Sequence, residues 1–167
     1  MTRTPDWTRM LRNGQSERKT LETNVKVKLN LDGAGEHDLQ TGIGFFDHML
    51  SQIARHGLFD LNVHATGDLH VDSHHTVEDV GICIGTAFDE ALGDRTGIVR
   101  MGSATVPMEE SLALVAVDMG GRPMRDFQGE FSSDAIGNLD TQLIPHFMGS
   151  LADNMRANIH IRLLSGT

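Results

Sequence analysis

The stretch DSHHTVEDVGI, residues 72–82, sets two histidines side by side and follows them with Glu78 and Asp79 before the chain turns apolar. On a helix His74 and Glu78 stand at i and i+4, and His75 and Glu78 at i and i+3, so either pair can share a face. Adjacent helical residues point about 100° apart, and one rigid turn can therefore aim His74 and His75 at two different metal ions. Imidazole with carboxylate suits a borderline divalent cation: Mn, Fe, Co or Zn. The motif holds no thiolate, which argues against a structural zinc site of the cysteine type. Asp72 and Asp79 are candidates for carboxylates that fix imidazole tautomers behind such ligands. The plain alternative is a capped, solvent-exposed helix start that happens to carry two histidines.

Elements on both sides must position that motif. Val25, Val27, Leu29 and Leu31 alternate with polar residues, as in a half-buried strand, and Asp32-Gly33-Ala34-Gly35 turns the chain. Residues 45–56 read as a helix closed by Gly57. Leu61, Val63 and Ala65 alternate again. Asp72 or Ser73 caps a helix running to about Leu92, with Val77, Val80, Ile84, Ala87 and Ala91 as its buried stripe. Strands near 111–118 and 124–131, a helix near 140–154 and a strand at 158–164 follow.

The two halves resemble each other. LNLDG at 29–33 matches VDMGG at 117–121 at an offset of 88, and FFDHMLSQIA at 45–54 matches LIPHFMGSLA at 143–152 at an offset of 98. His48 then falls on His146. A histidine shared within matching apolar patterns favours duplication over coincidence. It also favours metal ligation, with His48, His74, His75, Glu78 and His146 as the ligand set. The expected fold is α+β, with a duplicated strand-helix-strand-helix unit. A single domain, 1–167, would hold repeats at about 18–97 and 98–167. The counterpart of HHxxE should lie a few residues beyond Thr167, so the second repeat as it stands lacks that helix.

Composition narrows the function. The chain has 167 residues, 39% of them apolar, which is enough for one domain with a real core. Its net charge of −9, with no Lys/Arg run longer than two, argues against nucleic acid as the main partner. The lone cysteine, Cys83, lies in an apolar run, so there is no disulfide framework and a reducing, cytoplasmic compartment is expected. MTRTPDWTRMLRNG at the start has no apolar signal core, and nothing approaches a membrane span. Glu22 reads most simply as an exposed charge at a strand start. Arg100 in GIVRMG and Arg122 in GGRP sit beside glycines, as anion-binding arginines often do, although each also reads as a surface charge. His37, His56, His64, His70 and His160 read as surface or core histidines, and the methionines as packing residues. No P-loop, dinucleotide fingerprint or GxSxG is present.

LETNVKVKLNLDGAG, TGIGFFDHML, HGLFDL, GDLHVDSHHTVEDVGI, ALGDRTGI, PMEESLA, GGRP and HFMGSLADNM together resemble the imidazoleglycerol-phosphate dehydratases of histidine biosynthesis, from about Arg18 onward. The resemblance implies that each half is a mostly antiparallel sheet with helices on one face, the helices packed between the two sheets, and that trimers assemble into an octahedral 24-subunit shell with two manganese ions at each subunit interface. It implies His48, the HHxxE of His74, His75 and Glu78, and His146 as ligands. A second HHxxE and a segment with a phosphate-binding lysine are expected after RLLSGT. Without them the chain is expected to be metal-poor, inactive and smaller than the full shell, as a trimer.

The implied reaction dehydrates imidazole glycerol phosphate to imidazole acetol phosphate. The departing hydrogen is not next to a carbonyl, so no enolate can stabilise its loss. Metals on both ring nitrogens would favour imidazolate, which expels the hydroxyl; a base then takes the neighbouring C–H proton and the enol relaxes to the ketone. Glu22 is the candidate base or acid. Arg100 and Arg122 would hold the phosphate, and Gln52, one turn after His48, would orient a water or the substrate hydroxyls. Two other classes compete: a metal-dependent hydrolase, and a non-catalytic subunit that binds metal as interface glue.

Overall fold

The computed structural model describes residues 12–166. Most of the stretch read for a signal core, residues 1–11, lies outside them. Strand β2 (Thr23–Asn30) carries the predicted alternation: Thr23, Val25, Val27 and Leu29 are buried and the residues between them face solvent. It pairs antiparallel with β1 (Asn13–Lys19) and β4 (Asp60–Gly67), and β3 (His37–Gln40) adds parallel to β4. The sheet order is β1-β2-β4-β3.

The second sheet repeats this plan. Strands β5 (Met101–Met108), β6 (Ser111–Asp118), β7 (Met124–Gln128) and β10 (Asn158–Ser165) lie in the order β5-β6-β10-β7, again with one parallel pair, β7 with β10. The register is copied as well. Asn30 opposite Asp60 becomes Asp118 opposite Asn158, and His37 opposite Leu61 becomes Arg125 opposite Ile159. The jump between the two sequence offsets falls where a small hairpin, β8 (Ala135–Ile136) and β9 (Leu139–Asp140), is inserted. This is the expected α+β duplication, with mixed sheets that are mostly antiparallel.

Helix α1 (Gly44–Gly57) and helix α3 (Leu143–Met155) are counterparts, and each ends on a left-handed residue, Leu58 and Arg156. The sequence pointed to Gly57 as the cap of α1. The structure instead keeps Gly57 helical, and a Cβ there would lie 2.3 Å from the Phe59 ring, so that glycine makes room for packing. Helix α2 (His74–Leu92) buries Val77, Val80, Ile84, Ala87 and Ala91, as predicted. Of its two candidate caps, Ser73 holds the N-cap position but donates its hydroxyl to the Asn138 carbonyl, and Asp72 supplies the capping bond, its Oδ1 accepting the His74 N–H at 2.8 Å.

The helices form the middle layer. α2 lies on β1 and β2, α3 on β7 and β10, and α2 and α3 pack on each other. Two glycines one turn apart permit this. A Cβ on Gly81 would meet Phe147 and Ser150 at 3.1 Å, and one on Gly85 would lie 2.7 Å from the Leu151 oxygen and 2.8 Å from the Met155 nitrogen. The far ends are clamped by Arg95, which donates to the Met119 oxygen at 2.7 Å and the Met155 oxygen at 2.9 Å and pairs with Asp89. Among the described residues, no helix is long and apolar enough to cross a membrane.

Candidate active site

His74 opens α2, and Glu78 follows one turn later on the same face, with Oε2 at 3.9 Å from His74 Nε2. The close α2–α3 packing sets His146, near the start of α3, beside them. Its Nε2 lies 3.5 Å from the other Glu78 oxygen, and the His74 and His146 ring centres are 4.6 Å apart. The three ligand atoms all fall within 4.8 Å of one another. His146 Nε2 is buried and has no hydrogen-bond partner, a costly state for a ring nitrogen unless something else satisfies it. A tetrahedral ion at about 2.0–2.2 Å from each donor needs donors roughly 3.3–3.5 Å apart. The Glu78 oxygens, at 3.5 and 3.9 Å from the two imidazoles, lie near that spacing, and two imidazoles with a carboxylate suit a borderline divalent cation.

His75 departs from the trio. Its ring centre is 5.9 Å from that of His74, and its Nδ1 lies 2.9 Å from an Asp68 oxygen. The hydrogen bond to Asp68 holds the imidazolium of His75 above its ordinary range, opposed by desolvation and aided by the charges of Asp68, Glu22 and Asp72. Glu22 sits in the exposed turn before β2, its N–H donated to the Thr20 hydroxyl, close enough for its charge to act on His75.

Asp79 does not hold an imidazole. It is buried, accepts from Arg18 Nε at 2.7 Å and from the Thr23 hydroxyl, and so ties α2 to β1 and β2. Asp72 is spent on the helix cap. The carboxylate that does reach a histidine, Asp68, escaped the sequence reading; its signal was its place in GDLHVDSHH, where β4 must hand the chain to α2 within a few residues.

The remaining candidates lie apart. His48 is exposed in the middle of α1, its ring 6.3 Å from that of Phe45. Gln52 donates to Ser51 at 3.2 Å. Arg100 grips Asp118 with two nitrogens, at 2.5 and 2.7 Å, and the charge of Arg122 also acts on Asp118. Together these hold the Asp118 carboxyl below its usual range, the Arg100 hydrogen bond contributing most. The two arginines thus share the β5–β6 end of the second sheet.

The family profile of imidazoleglycerol-phosphate dehydratase matches residues 41–167. The imidazoleglycerol-phosphate dehydratase of Chloroflexus aggregans is 58% identical over 150 residues, 90% of this chain and 73% of that protein. That of Clostridium kluyveri is 50% identical over 93% of this chain and 80% of its own length. The crystal structure of the Staphylococcus aureus enzyme superimposes with a TM-score of 0.83 at 34% identity, covering 93% of this chain and 85% of that one. That of the Pyrococcus furiosus enzyme, in complex with (S)-C348, gives 0.78 at 34% identity over 90% and 80%. The α+β duplication, the histidine-bearing helices and these likenesses agree: the chain belongs to the imidazoleglycerol-phosphate dehydratase family, hydro-lyases of histidine biosynthesis.

Proposed function

We infer that this chain, together with the second HHxxE expected after Thr167, dehydrates imidazole glycerol phosphate to imidazole acetol phosphate in the cytoplasm, and that it does so with a divalent metal, manganese. The observation that carries the metal reading is the trio of His74, Glu78 and His146, in which the buried His146 Nε2 has no hydrogen-bond partner, in a chain of this family. A divalent ion held by those three residues would supply positive charge against a ring nitrogen of the substrate.

The other roles belong to the chain itself. His48 and His75, outside the trio, would serve a second ion together with ligands from another copy. Glu22, whose charge acts on His75, would accept the C–H proton or protonate the departing hydroxyl. Arg100 and Arg122 would bind the phosphate by charge-assisted bonds, Arg100 turning one fork from Asp118 to the ligand. Gln52 would orient a water or the substrate hydroxyls. Trimers of such subunits, building a 24-subunit shell, would bring these groups together across interfaces, each chain contributing one domain, 1–167, of two repeats.

The test is turnover of imidazole glycerol phosphate with manganese. The expected product is an enol or ketone that absorbs in alkali, formed by the protein and not by its Glu78→Gln variant. Release of inorganic phosphate in its place would identify a hydrolase. Metal-dependent association without any turnover would leave an assembly subunit.

A further inference from the structure

Asp68 follows Gly67, the last residue of β4, and its carboxylate reaches the first turn of α2. The side chain is only 16% exposed. Its Oδ2 lies 2.9 Å from His75 Nδ1, while its Oδ1 is buried without a hydrogen-bond partner. The backbone makes this approach possible. Gly67 pairs with Thr23 on β2, and a Cβ on Gly67 would fall 2.0 Å from the Thr76 hydroxyl oxygen. Only glycine lets the end of β4 lie this close to α2.

We propose that Asp68 is the positioning residue for His75: it accepts the Nδ1–H of the ring and so leaves Nε2 as the electron-pair donor toward a metal ion. A neutral imidazole has one donor and one acceptor nitrogen, and a fixed carboxylate at Nδ1 decides which is which. Ligating histidines are commonly held in this way from behind. Two other carboxylates of the motif are otherwise engaged. Asp72 caps α2 through the His74 N–H, and Asp79 is engaged by Arg18 and Thr23. The inference rests on the reading of His75 as a ligand, but its first test does not require metal.

That test is the long-range proton–nitrogen NMR spectrum of the His75 ring at pH 9 without metal. In the native protein the proton is expected on Nδ1, against the ordinary preference of the side chain for Nε2–H. Asp68→Ala should return the ring to Nε2–H. Gly67→Ala should do the same without touching either partner, and Asp68→Asn, whose amide oxygen can still accept, should keep the proton on Nδ1. Asp68→Ala with the proton still on Nδ1 would overturn the proposal. Manganese titration separates it from the ligand reading. Asp68→Ala should weaken the ion that His75→Ala abolishes by about 10- to 100-fold, and leave unchanged the ion that depends on His74. Should His75→Ala hold manganese as the native protein does, the ligand reading falls and the tautomer result still decides what Asp68 does.

Discussion

The two sheets share strand order and register but not burial. In the first, Val25, Val27 and Leu29 of β2 are at most 3% exposed. In the second, every residue of β6 is half-buried and every residue of β5 exposed. The difference is α2. It lies along β1 and β2, and among the described residues β5 and β6 carry no comparable helix. The same contrast separates the two repeat-related histidines. His146 stands beside α2 and joins His74 and Glu78; His48, at the matching place on α1, is not part of that group. Strand pairing is thus a property of each repeat, while the site arises where a helix of one repeat packs on a helix of the other.

The strongest way to break that comparison is at the trio. Glu78→Gln or His146→Ala should cost about a thousandfold or more in turnover, since an ion contributes several kcal/mol to the transition state, and should leave the melting temperature nearly unchanged. Metal analysis of each variant checks the cause. His48→Ala should leave the ion held by His74 and Glu78 in place; its loss there would show that α1 and α3 share one site after all.

Next in size is the core. Leu29 and Val117 occupy matching positions on β2 and β6. Leu29→Ala should destabilise by about 2–5 kcal/mol, because the pocket under α2 cannot collapse onto the missing atoms. Val117→Ala, on the half-buried strand, should cost about 1 kcal/mol. Equal losses in urea unfolding would mean that the second sheet is covered as well as the first. Gly85→Ala acts between these levels. Its added methyl meets the α3 backbone, so it should cost about 1–3 kcal/mol by overpacking and weaken metal binding by moving His146. A variant of normal affinity would detach the site from the helix contact.

How much of this the sequence carried depends on the element. The stripe of α2 and the alternation of β2 and β4 were legible because each buries one face against a neighbour. β1, β3 and β5 were not: β1 buries a single residue, Gly14, and β5 none, so neither bears an apolar period to read. HHxxE and the matched His48 and His146 marked the site's chemistry. What brings His146 to Glu78, the small faces of Gly81 and Gly85, left no polar signature, and glycine inside a helix is ordinarily read only as a cost. Asp79 looked like a site carboxylate because of its neighbours in sequence. Its partner, Arg18, stands on β1, far off in sequence, and only the fold pairs them.

The smallest effect sharpens the comparison on the outer faces, where the repeats carry matching carboxylates with different partners. Asp38 accepts from His64 at 2.8 Å, Gln40 at 3.0 Å and Asn62 at 3.2 Å. Asp126, its counterpart, accepts from Arg162 at 2.6 Å and pairs with His160 at 3.4 Å. Both carboxyls lie below the ordinary range: Asp38 mainly through the bond from Gln40 and then that from His64, Asp126 mainly through that from Arg162. A carboxyl depressed in the folded state stabilises the protein above its unfolded value and loses that contribution as pH falls through the folded one. Both pairs should therefore contribute at neutral pH and fade only in acid, below about pH 4. The repeats differ in how the depression is divided. Arg162→Ala removes the main donor to Asp126 and a permanent charge, so carbon-13 titration should show Asp126 returning most of the way to the ordinary range. His64→Ala leaves Gln40 in place, and Asp38 should move less; adding Gln40→Ala should release it. If His64→Ala alone raises Asp38 as far as Arg162→Ala raises Asp126, the imidazole is the dominant partner and the sharing among three donors is wrong.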